Sequence, residues 1–113
     1  MISAITILLL IHFIGDFLLQ PGEWALNKIK SKKALLYHSL QYSIPFVIAF
    51  YFLNISMLWG VWIFGTHFLL DDRRFIDWWN KTLKREKTTP EWVMMVQDQA
   101  LHVLCVVVVL IFN

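Results

Sequence analysis

Three pairs of side chains stand out for their chemistry: His12 with Asp16, His67 with Asp71, and Asp98 with His102, each pair four residues apart. On a helix, that spacing stacks both members on one face, with Cβ atoms about 5–6 Å apart. An imidazole and a carboxylate held so close can share a proton or share a metal ion. His38 adds a fourth imidazole with no acidic companion at that spacing. Imidazole nitrogen suits zinc and iron, and carboxylate oxygen suits harder ions such as manganese. The candidate metal ligands are therefore His12, Asp16, His38, His67, Asp71, Asp98 and His102. Zinc, manganese or iron is the expected metal, as one or two divalent ions. One divalent ion leaves three carboxylates under-neutralised, whereas two ions with a bound hydroxide balance them. Asp16 and Asp98 are the candidate catalytic residues, as general bases toward a water. Gln20 extends the His12–Asp16 face by a turn, and Gln99 adjoins Asp98. With Lys28, Arg73 and Arg74, they are the candidate contacts to an anionic substrate or head group.

These residues lie in an apolar chain. Of 113 residues, 58% are hydrophobic and 16% charged, well above the apolar share of a soluble domain. Four apolar runs predict spans at about 2–20, 34–53, 55–72 and 92–112, near the ~20 residues that a crossing helix needs. The runs do not alternate, which excludes transmembrane strands. The expected fold is an all-α membrane protein, a four-transmembrane-helix bundle forming a single domain over 1–113. Phe75–Lys84, with Phe75, Trp78, Trp79 and Leu83 near helical spacing, predicts a short amphipathic interfacial helix between the third and fourth spans. The first run has no basic n-region and no small-residue cleavage site, so it is expected to be retained. The lone cysteine, Cys105, excludes an intrachain disulfide and reads as a packing residue.

All ten Lys and Arg residues fall in the first and third connections. The positive-inside rule then makes those connections cytoplasmic and puts both termini outside, in a multi-pass protein of the cytoplasmic membrane. Antiparallel threading brings all four histidines to one depth, in the cytoplasmic half. An aspartate at the centre of a crossing helix costs about 2.5–3.5 kcal/mol. No Lys or Arg lies within the spans to offset it, so a metal is the expected compensation.

The pieces HFIGDFLLQ, His38, HFLLD and DQALH resemble a family of small prokaryotic and phage membrane proteins, domain of unknown function 3307. The resemblance covers most of the chain and implies a multi-span membrane protein without an assigned activity. More distantly, the layout is similar to that of membrane-bound metal-dependent hydrolases. That likeness implies matching roles for His12, Asp16, His67, Asp71, Asp98 and His102, with Lys28 at a basic position after the first helix. No soluble catalytic domain and no HEXXH-type motif accompanies them. The recurrence of His-x-x-x-Asp at 12–16 and 67–71, each followed by a basic connection, also suggests two parallel repeats.

The leading expectation is a metal-dependent membrane hydrolase whose site opens to the cytoplasmic leaflet. It would act on a phosphate- or acyl-containing lipid or another anionic substrate. Its partners are the bilayer and that substrate; no nucleic acid is expected, and self-association is compatible with so small a bundle. Three alternatives stand beside it. A metal-ion or proton transporter would use the same residues, although ISAITILLL and VVVVLIFN offer no polar path onward. A haem protein would use paired histidines, although the aspartates suit a harder ion. A non-catalytic membrane component, such as a phage-type partner or structural subunit, would use the cluster for packing.

Overall fold

The computed structural model describes residues 2–19 and 31–113. Ser3 starts the first helix by accepting the Thr6 backbone N–H on its Oγ at 3.3 Å, as N-cap serines do. Helix α1 (Ala4–Phe13) runs directly into a π-helical turn, Ile14–Leu18. Ser31 caps α2 (Lys32–Phe52) in the same way, through Ala34. Then follow α3 (Trp59–Leu70), α4 (Arg74–Thr82) and α5 (Glu91–Phe112). The all-α expectation holds among the described residues.

The core is a column of Leu8, Tyr42, Phe46, Phe50, Ile63, Val106 and Val109, drawn from α1, α2, α3 and α5. Helices α2 and α3 approach closely where Gly60 meets Val47. A Cβ on Gly60 would lie 2.6 Å from Val47 Cγ2. Trp62 Nε1 ties α3 to α5 by donating to the Cys105 carbonyl at 2.9 Å. Asn54 turns the chain after α2 with φ 55°, a left-handed conformation that asparagine tolerates. At that end of the bundle, the Ser56 backbone N–H donates to Asn113 Oδ1 at 3.2 Å.

Helix α4 lies across the other end. It buries Ile76 and Asn80 and leaves Phe75, Trp78 and Trp79 exposed. Asn80 and Gln97 exchange two amide hydrogen bonds, of 2.9 and 2.8 Å, which dock α4 on α5. On its outer side Lys81 pairs with Asp77 at 2.9 Å. In the turn that follows, Thr89 and Lys84 both donate to Glu86 and hold its carboxyl below the usual range.

A four-span bundle is not what forms. Among the described residues, only α5 is both long enough and apolar enough to cross a bilayer. Helix α3 has 12 residues, about 18 Å at 1.5 Å per residue, against a hydrocarbon core of about 30 Å. Helix α1 with its π turn spans Ala4–Leu18, about 22 Å by the same measure. Helix α2 has the length, but Lys32, Lys33, His38, Ser39, Gln41 and Ser43 make its first half polar. The apolar run at 55–72 is broken at both ends. Its first residues form the turn before Trp59, and Asp71 ends the helix instead of continuing it. The expected multi-pass topology, with both termini outside, rested on those four crossings and goes with them. The helix stop expected at Pro21-Gly22 lies outside the described residues.

Candidate metal centre

The site is assembled where the π turn, the first half of α2, the end of α3 and the first half of α5 converge. In the π turn, the Leu19 N–H reaches back five residues to the Ile14 carbonyl at 2.9 Å. Such turns are rare, and they collect at functional sites. Gly15 lets this turn lie against α2, since a Cβ there would come 3.2 Å from Tyr42 Cδ2. Asp16 is thereby carried inward and is 4% exposed. His38 stands one helical turn before Tyr42 on α2. His67 and Asp71 close α3, with the Asp71 N–H bonded to the His67 carbonyl at 2.9 Å. Asp98 and His102 share the inner face of α5. All seven expected ligands are buried.

The contacts divide these seven into two kinds. His38 Nε2 lies 3.2 Å from Asp16 Oδ1 and 3.4 Å from Asp71 Oδ2. His67 Nε2 lies 3.6 Å from the same Asp71 oxygen. Asp16, His38, His67 and Asp71 each offer a ligand atom within 4.8 Å of one another, and so do Asp71, Asp98 and His102. These six residues could hold a metal. The imidazole rings form one row of neighbours, with centroids 4.8 Å apart for His38–His67 and 4.7 Å for His67–His102, both edge-on, and 5.8 Å for the stacked His102–His12 pair.

His12 belongs to the cluster but faces other partners. Its Nδ1 is 2.6 Å from the Tyr42 hydroxyl and its Nε2 is 2.9 Å from Gln99 Oε1. The Gln99 amide nitrogen in turn donates to Asp16 Oδ2 at 3.0 Å and to Asp98 Oδ2 at 3.3 Å. Nε2–H donates to the Gln99 oxygen, and the Gln99 amide nitrogen donates to the two carboxylates. Both His12 nitrogens are thus engaged, one with Gln99 and the other with the Tyr42 hydroxyl.

Gln99 was expected on the substrate side, and it stands between two of the carboxylates. Arg73 is paired with Glu91, and Arg74 Nε sits on Asp72 Oδ2 at 2.9 Å. Both guanidinium groups therefore flank the centre and are engaged at the surface. Gln20 and Lys28 lie outside the described residues. Tyr42 is the residue that pattern reading missed. It stacks on His67 at 3.8 Å, nearly parallel, while its hydroxyl holds His12. Its signal was its place four residues after His38, the same spacing that marked the His/Asp pairs.

An open apolar groove of about 590 Å³ runs along α5 beside the π turn, lined by Phe17, Met95, Val96, Gln99, Ala100, Val103 and Leu104. Gln99 belongs to both the groove and the polar cluster.

Residues 4–113 match the family described as Protein of unknown function (DUF3307). The chain belongs to that family. The match takes in every residue of the centre. No curated protein and no solved structure matches it.

Proposed function

We propose that this DUF3307 chain is a metal-dependent hydrolase working at a membrane, on an amphiphile with a phosphate or acyl group. The observation that carries the reading is the convergence of six buried His and Asp side chains from four separate segments on one small volume. Imidazole nitrogens and carboxylate oxygens gathered this closely make a ligand set that suits a divalent ion. Such an ion would lower the pKa of a water and polarise a phosphoryl or carbonyl oxygen. The chain's own residues would do the rest. Asp16 or Asp98, steadied by Gln99, accepts a proton from water as its oxygen bonds to phosphorus or to the acyl carbon. The bond to the leaving oxygen then breaks, and that oxygen takes up a proton.

Two features favour an amphiphilic substrate. The apolar groove reaches Gln99 at the edge of the centre, where a hydrocarbon chain could lie while its polar group met the cluster. The bundle's outer surface carries exposed Leu10, Phe13, Leu40, Ile44, Ile48 and Leu104, which supports a lipid surrounding. The column beyond the histidines, with Leu8, Phe46, Phe50 and Val109 fully buried, offers no polar continuation among the described residues, which favours an enzyme over a conduit. The test is elemental analysis of detergent-purified protein, with hydrolysis of long-chain phosphate and acyl esters measured before and after chelation. Near-stoichiometric zinc, manganese or iron and chelator-sensitive turnover are expected. Protein that purifies without metal and gains no activity from added metal would overturn the reading.

A further inference from the structure

The two ligand groups have one residue in common. Asp71 lies within 4.8 Å of the donors on Asp16, His38 and His67, and also of those on Asp98 and His102. A carboxylate has two oxygens and can serve two ions at once. We propose that the centre is dinuclear, with Asp71 bridging two divalent cations of unequal character. The inference rests on the metal-dependent reading above and specifies how that metal is held.

The first position takes Asp16, His38, His67 and Asp71. Around a tetrahedral ion with bonds of about 2.0–2.1 Å, neighbouring donor atoms stand about 3.3–3.4 Å apart. His38 Nε2 is 3.2 Å from Asp16 Oδ1 and 3.4 Å from Asp71 Oδ2. A cation where the three atoms converge would be held by all of them. Four protein donors fill this position, which is the mark of a structural or tightly held ion.

The second position takes Asp71, Asp98 and His102. His102 Nδ1 donates to the Asp98 backbone carbonyl at 2.7 Å. That bond fixes the tautomer and leaves Nε2 as a bare lone pair, the arrangement typical of a metal-bound histidine. His102 is 2% exposed, and its Nε2 has no hydrogen-bond partner among the described residues. Three protein donors leave a coordination place open, which suits the ion that carries water and meets substrate. Paired ions in hydrolytic centres stand about 3.5–4 Å apart, a separation one bridging carboxylate spans. His12, held by Tyr42 and Gln99, lies outside both positions.

The test uses the purified full chain in detergent, stripped and reloaded with Mn(II). Two ions per chain are expected, one released at lower chelator concentration than the other. Low-temperature EPR should show an exchange-coupled pair. His102→Ala should retain one ion and convert the spectrum to an uncoupled single-ion signal, and Asp98→Asn should do the same if the alanine variant fails to fold. His12→Gln should keep both ions. One ion per wild-type chain overturns the dinuclear assignment and leaves the metal-dependent reading standing. No bound ion overturns both, and two uncoupled ions overturn the bridge.

Discussion

Removing the Tyr42 hydroxyl isolates one contact of the centre. In Tyr42→Phe the ring still stacks on His67, but His12 Nδ1 loses its partner at a fully buried position. Leaving such a group unsatisfied costs about 1–3 kcal/mol. Tyr42→Ala also empties core volume, which costs about 3–5 kcal/mol for a large aromatic. Equilibrium unfolding in mixed micelles should rank wild type above Phe above Ala; a Phe variant as stable as wild type would mean that the hydroxyl does not hold His12. Gln99→Leu tests the next link. It strips Asp16 and Asp98 of a shared donor without touching a ligand, so metal affinity should fall about 10–100-fold, as for other outer partners of metal ligands. Isothermal titration with Mn(II) reads this, and an unchanged affinity would remove Gln99 from the site. The residues of the buried cluster were legible in the sequence because i, i+4 spacing is a direct statement about a helix face. The partners that His12 takes within that cluster were not legible. They are Tyr42 and Gln99, which come to His12 from 30 and 87 residues away.

The helices differ in how much of them their own residues announce. Each apolar run did become helix, since runs of Leu, Ile, Val and Phe have no better way to satisfy their backbone in an apolar setting. The turn after α2 follows composition: 53–56, with Asn54 and Ser56, reads as a tight turn in the sequence, and Asn54 takes a positive φ there as α3 reverses against α2. Two glycines of α3 make this scale testable. Gly60→Ala places a methyl 2.6 Å from Val47 Cγ2, on a stiff β-branched side chain. Overpacking of this kind costs about 1–3 kcal/mol. Val47→Ala should restore most of the loss, and a double-mutant cycle showing no coupling would place the strain elsewhere. A methyl on Gly65 would meet nothing within 4 Å, so Gly65→Ala should stabilise by up to about 1 kcal/mol through helix propensity. Comparing the melting temperatures of wild type and the two alanine variants checks both statements at once.

At the level of the whole molecule, the four histidines meet at one level of the bundle although the four spans do not form. Alternating helix direction is enough to bring the end of α3 beside the starts of α2 and α5. Complete crossing of a bilayer by each element is a stronger demand, and only α5 meets it among the described residues. A chain with this much exposed Leu, Ile and Phe, and with α5 long enough to cross, should stay with membranes after extraction at alkaline pH. Recovery in the supernatant, as a monodisperse species without detergent, would mean that the apolar surface is covered by protein instead. Described basic residues such as Lys32, Arg73, Arg74 and Lys81 sit at the same end as the centre, close in sequence to His38, Asp71 and α4. Anionic lipids should therefore bind that end, with an affinity that declines as salt is raised.

The π turn at Ile14–Leu18 has a consequence for the register of everything before it. Such a turn is geometrically an α-helix that has accommodated one extra residue. Deleting a single residue there would remove the bulge and keep the preceding segment in phase, whereas relaxing the turn to α geometry with every residue retained would swing that segment by about 100°, one residue's share of a 3.6-residue turn. His12 would rotate off Tyr42 and Gln99, and Leu8 would leave the core for the surface, while Asp16 and all that follows kept their places. The turn thus works as a phase lock between α1 and the rest of the bundle, setting which stripe of an almost uniformly apolar helix faces inward.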